Sequence, residues 1–155
     1  MPMQPSTVLR SPADRLSSGS RRLRLAVPNT RTAARAARHW LAAVLRGSPH
    51  SQLGDDAMLC LSELVTNAHR HTSTPTIRVQ ALIAVEFVVV RVRDNHPEPL
   101  PPAPETGRPG DEGECGRGLA LVEACADAWG VTFFGGARLR GKSVWFKLLA
   151  REGPG

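Results

Sequence analysis

Tyrosine is missing from these 155 residues, and the aromatic side chains are three Trp and four Phe. A chain so poor in aromatic faces offers no platform on which bases could stack, which argues against a nucleic-acid partner. Cysteine is almost as scarce. Cys60, Cys115 and Cys125 lie far apart and form no CxxC pair, so neither a zinc site nor a disulfide framework is expected. Cys60 and Cys125 fall within apolar patterns and read as buried free thiols, which fits a reducing, cytoplasmic setting. No run of about 18 apolar residues occurs, so no membrane-spanning helix is expected. The N-terminus lacks the apolar core of a signal peptide. Two common phosphate-binding signatures are also missing: there is no GxxxxGK[ST], and no GxGxxG directly follows a strand.

Acids are short in one region only. Residues 1–46 hold nine Arg against one Asp, a balance of +8, so residues 47–155 sum to −2 for the total of +6. The body is nearly neutral, and the basic excess sits on the N-terminal tail and first helix. With 41% hydrophobic residues there is material for one modest core.

Residues 1–21 have few large apolar residues and no period, so a disordered tail is expected, followed by one domain over 22–150. Leu23, Leu25 and Val27 alternate with polar or small residues and predict a short strand that Pro28 ends. Asn29 or Thr30 could cap a helix over 31–45, with Ala33, Ala37, Trp40, Leu41 and Val44 on its apolar stripe. A second helix should run from Asp55 and Asp56 to about His71, with Ala57, Leu61, Leu64, Val65 and Ala68 inward. Residues 76–82 and 85–93 read as a strand hairpin, and Asp94 continues the face of Val88, Val90 and Val92.

Residues 95–115 contain six Pro, three Gly and five acids, an irregular loop of the length that usually serves function or stays disordered. A third helix over 119–129 and strands over 131–134 and 143–149 complete the order β-α-α-β-β-loop-α-β-β. Helices and strands do not alternate regularly, which excludes a doubly wound parallel sheet. The expected fold is α+β, a two-layer sandwich with three helices on one face of a mainly antiparallel mixed sheet.

Three constellations carry possible chemistry. Glu63, Asn67 and His71 follow each other at i, i+4 and i+8, so they form one helical stripe at the rim of the apolar face. A carboxylate near a carboxamide oxygen suits Mg²⁺, or the carboxylate could accept a proton from a hydroxyl nucleophile. The same stripe is equally a polar helix boundary. His69 and His71 cannot share a zinc ion, because residues two apart on a helix do not face each other. Asp94 at a strand end could accept a hydrogen bond from an amine such as adenine N6, or could simply start a turn. Gly116 and Gly118 before a helix let backbone N–H groups approach phosphate oxygens, or serve as a flexible helix entry.

The order ExxxNAxxH, strand-terminal Asp, loop and GRGL resembles the histidine-kinase-like ATPase family, whose fold is the Bergerat-type sandwich. Within it the strings SELVTNAHRH, VRDNHPEP, GRGLALVEACADAWGV and GKSVWFKL are similar to the short anti-sigma factor serine kinases of actinobacteria. The resemblance spans residues 22–149. No dimerisation and phosphoacceptor helix precedes the domain, which points away from a sensor kinase. The resemblance implies that Glu63 is the general base and Asn67 the Mg²⁺ ligand, with His71 on the same stripe. It implies that Asp94 holds the adenine amine, that Gly116, Arg117, Gly118 and Leu119 wrap the phosphates of ATP, and that residues 96–115 form a lid. It places Ser143 beside the aspartate, where the family often has Thr. The implied activity is a protein serine/threonine kinase that phosphorylates an anti-anti-sigma partner and sequesters a sigma factor, as a homodimer. One departure is visible: Asp94-Asn95-His96-Pro97-Glu98 lacks the two glycines of the family's DxGxG box, and Pro97 offers no N–H. A nucleotide-sensing or protein-interaction module without catalysis is therefore the alternative.

Overall fold

The computed structural model describes residues 19–97 and 114–152. Of the tail expected over 1–21, residues 1–18 lie outside the described residues, as does most of the expected lid, and Arg21 belongs to the first strand. The chain order is β1 (Arg21–Pro28), α1 (Ala33–Arg46), a short 3-10 turn (Ser51–Leu53), α2 (Gly54–His71), β2 (Thr76–Ile83), β3 (Phe87–Asp94), α3 (Glu114–Cys125), β4 (Ala128–Phe134) and β5 (Gly141–Leu149).

The first two helices form for reasons the sequence states. Ala33, Ala37, Leu41 and Leu45 repeat every four residues and are the buried stripe of α1. Asp55 and Asp56 occupy the first turn of α2 and His69, Arg70 and His71 the last, both favourable to the helix dipole. The start of α1 differs from expectation. Thr32 takes the cap position without a side-chain capping bond to the helix, its hydroxyl meeting that of Thr30 instead. Asn29 is spent elsewhere, donating to the Thr74 carbonyl at 2.8 Å and meeting His69 Nδ1 at 2.6 Å. It ties the end of β1 to the end of α2.

The five strands lie in the order β1-β2-β3-β5-β4, and every neighbouring pair is antiparallel. The expected mixed sheet is thus wholly antiparallel. All three helices pack on one face, where Ile77, Val79, Val88, Val90, Val92, Val144, Phe146 and Leu148 join the helix stripes in one core. The other face carries a small apolar cluster of Leu82, Val89 and Trp145, with Phe87 against it. Beyond that cluster the face carries Arg24, Arg78, Gln80, Arg93 and Ser143 beside the Phe134 ring.

Two boundaries correct the sequence reading. Helix α3 starts at Glu114, so Gly116, Arg117 and Gly118 lie within its first turns instead of forming a loop before it. It ends at Cys125, and Trp129 belongs to β4, where it pairs with Phe146. Trp129 still packs on the core, but from the sheet. Gly141 opens β5 at a crowded point. A side chain there would collide with the Asp94 carbonyl and the Phe134 ring, so only glycine lets β5 come alongside the end of β3.

Candidate functional site

The stripe on α2 and the end of β3 face each other. Leu64, Asn67, Ala68 and His71 from α2, and Thr72 just after it, meet Val92 and Asp94 from β3 and Lys142 and Val144 from β5 around one cleft. Asn67 is buried to 7% exposure despite its polarity. His71 is half-buried, and its Nε2 is buried with no hydrogen-bond partner. An unsatisfied buried nitrogen is costly and marks a place where a polar ligand group or water belongs.

Asp94 reaches the cleft because β3 alternates strictly: Val88, Val90, Val92 and Asp94 share the helix-facing side. Its partner is Lys142, directly opposite in the β3–β5 register. Lys142 Nζ lies 3.2 Å from both carboxylate oxygens, and each side chain is only 3% exposed. The same ammonium donates to the His96 carbonyl at 2.9 Å, while the His96 N–H donates to Asp94 Oδ1 at 2.7 Å. Two donors already serve the carboxylate. The space enclosed among the cleft residues is about 10 Å³, room for one water.

Sequence reasoning missed Lys142, although the signal was present. Val144, Phe146 and Leu148 face the helices, and the two-residue period carries Lys142 to the same side. That period also decides Ser143. It lies opposite Arg93 and Thr132 and points to the other face, so it is not beside the Asp94 carboxylate. Glu63 sits one turn before Asn67 on α2, half-buried, and is not among the cleft-lining residues. Leu119 packs against the core at the start of α3, and the side chain of Arg117 lies outside the described residues. The structure therefore brings Asn67, His71 and Asp94 together, with Glu63 on the adjacent turn.

Among the described residues, no group of three or more His, Cys, Asp or Glu is placed to hold a metal ion. No helix among them is long and apolar enough to cross a membrane. Cys60, in the α2 stripe, is fully buried, and burial foremost, then the neighbouring Cys125 thiol, pushes its pKa up to about 12.

A layer of helices on one face of an antiparallel sheet, with an α2 Asn and a β3 Asp facing across a cleft, defines an ATPase-type nucleotide fold. The chain belongs to the histidine kinase-like ATPase domain family, which matches residues 27–146. Among solved structures it is similar to the RsbU and RsbW domains of Rv1364c from Mycobacterium tuberculosis. That likeness has 26% identity and a TM-score of 0.59, and covers 85% of this chain. The chain spans 33% of that longer protein. No curated protein matches it.

Proposed function

We propose that this domain is a cytoplasmic ATP-binding regulator of the anti-sigma type, which phosphorylates a serine on an anti-anti-sigma partner and sequesters a sigma factor. The observation that carries this reading is the meeting of Asn67, His71 and Asp94 at one cleft in a chain of the ATPase family. The likeness to a protein with an RsbW domain supports its regulatory part.

The residues present suit the nucleotide. The cleft as it stands has room for one water, so a base would enter only as the cleft opens. Leu64, Ala68, Val92 and Val144 would then give it apolar walls, with the unsatisfied His71 Nε2 among them. The Asn67 oxygen suits Mg²⁺, which takes few protein ligands and keeps several waters. Bound ATP with Mg²⁺ would supply the transferable phosphoryl group. Glu63 would accept the serine hydroxyl proton. Asp94 would receive the adenine amine once Lys142 swings aside. Of Gly116, Arg117, Gly118 and Leu119, the first two fall in the opening turn of α3, where free N–H groups would face phosphate oxygens. The N–H groups of the other two are used within the helix. Ser143 has no part in this proposal.

Lys142 favours a second reading, a nucleotide-sensing or protein-interaction module that has lost catalysis, because it occupies the carboxylate that adenine needs. Calorimetry with ATP and Mg²⁺, followed by phosphotransfer to the antagonist protein, separates the two. The kinase reading expects wild type to bind and transfer. Glu63→Ala should bind equally but transfer about 100-fold less or worse. Binding without transfer by wild type would establish the nucleotide-sensing form of the second reading, and binding by Lys142→Thr alone its protein-interaction form.

A further inference from the structure

The sheet face turned away from the helices carries a concave groove of about 810 Å³. Arginines line it: Arg24 from β1, Arg78 from β2, Arg93 from β3 and Arg140 from the β4–β5 turn are exposed, and Arg91 from β3 is half-buried. Gln80 and Ser143 stand between them. The register explains the cluster, since Arg78 is directly opposite Arg93, and Arg93 directly opposite Ser143. Like charges directly opposed across a strand pair destabilise a sheet. The one carboxylate among the described lining residues is Asp94, and it is committed to Lys142 on the helix side. Neither the Lys142–Asp94 nor the Arg151–Asp56 ion pair involves Arg24, Arg78 or Arg140, and no acid among the described residues pairs with them.

We propose that this groove binds a carboxylate-rich peptide segment of a partner protein. Guanidinium forks match carboxylates two bonds at a time, and several in a row favour a polyanion over a single ion. From β1 to β5 the row crosses three inter-strand gaps, about 14 Å, the length of about four extended residues. A recessed row of this length admits one extended strand. Duplex DNA is met by elements that protrude into its grooves, which a recess does not do. Single-stranded nucleic acid wants free aromatic faces for stacking, and the Phe134 ring is already covered by the Arg93 guanidinium, 3.7 Å from its centroid. The groove lies on the opposite face from the nucleotide cleft, so this inference stands or falls without the kinase reading.

The test is fluorescence anisotropy of a labelled hexaglutamate peptide titrated with the full chain, at low and at physiological salt. An oligothymidylate of matched charge serves as the competing probe. Wild type should bind the peptide with affinity that falls as salt rises. Arg78→Gln combined with Arg93→Gln should weaken it about tenfold or more, and Arg24→Gln combined with Arg140→Gln similarly. Arg35→Gln, exposed on α1, should leave it unchanged. In addition, Arg78→Gln alone should raise the melting temperature of the free protein, because it relieves the opposed charges. Peptide binding that survives both double variants would overturn the proposal. So would absence of peptide binding by wild type, or stronger binding of the oligothymidylate.

Discussion

Lys142 and Asp94 each gave up water to form their contact, and two charges left in a nearly dry site depend on each other. Removing one partner strands the other, which typically costs about 3–5 kcal/mol, whereas replacing both by neutral groups of similar shape is often neutral or stabilising. Urea unfolding should therefore show Lys142→Ala strongly destabilised, and Asp94→Asn combined with Lys142→Met close to wild type. Additive losses in the double variant would mean that the two side chains act independently. Cys60 makes a second prediction at this scale. Its thiol is raised to about 12 in the folded chain, while an unfolded thiol titrates near 8.5. The neutral thiol thus stabilises the fold fully below the unfolded value, and that contribution is lost as pH rises through the folded one. Stability measured between about pH 9 and 12 should fall with pH, and Cys60→Ala should flatten that part of the fall. Alkylation of Cys60 in the native protein should be slow throughout.

Elements were legible where one period ran unbroken. The α2 stripe placed Asn67 and His71 correctly, because Ala57, Leu61, Leu64 and Ala68 fix the helix rotation by burial alone. Asp94 was equally readable, since three valines set the face of β3 before it. Where the signal is short or mixed, tertiary pairing decided instead. Trp129 fits the helical spacing of Leu119, Val122 and Cys125, yet the Asp127 N–H bonds to the Lys147 carbonyl and draws the chain into β4. Helix α3 therefore stops where the sheet begins to offer partners. Ser143 was assigned from a resemblance to its neighbourhood, and a one-residue difference in strand register is enough to put a side chain on the wrong face. Lys142 was hidden by residue type, because lysine is read as a surface residue unless a carboxylate opposite it is known. That carboxylate lies 48 positions earlier, beyond any local pattern.

Across the whole molecule the two sheet faces do different work. One is sealed by helices and holds the candidate nucleotide cleft, and the other is basic and concave. Adjacent residues on β3 and β5 serve opposite faces: Asp94 and Lys142 on the helix side, Arg93 and Ser143 in the groove. The sequence showed a basic excess but located it on the tail and first helix. The groove arginines are spread over four stretches of chain and converge only when the strands pair.

The strand order also leaves the sheet with two unequal margins. At one, β1 presents exposed Arg21, Arg22 and Arg24 and closes on Pro28, features that discourage another strand from adding there. At the other, β4 reads AWGVTFF, with no charge or proline, and among the described residues no strand pairs with its outer side. An uncharged margin invites edge-to-edge growth. Light scattering on heating should show Thr132→Lys aggregating later than wild type, while Arg22→Val combined with Arg24→Val aggregates sooner. The molecule is guarded against self-assembly from one side only.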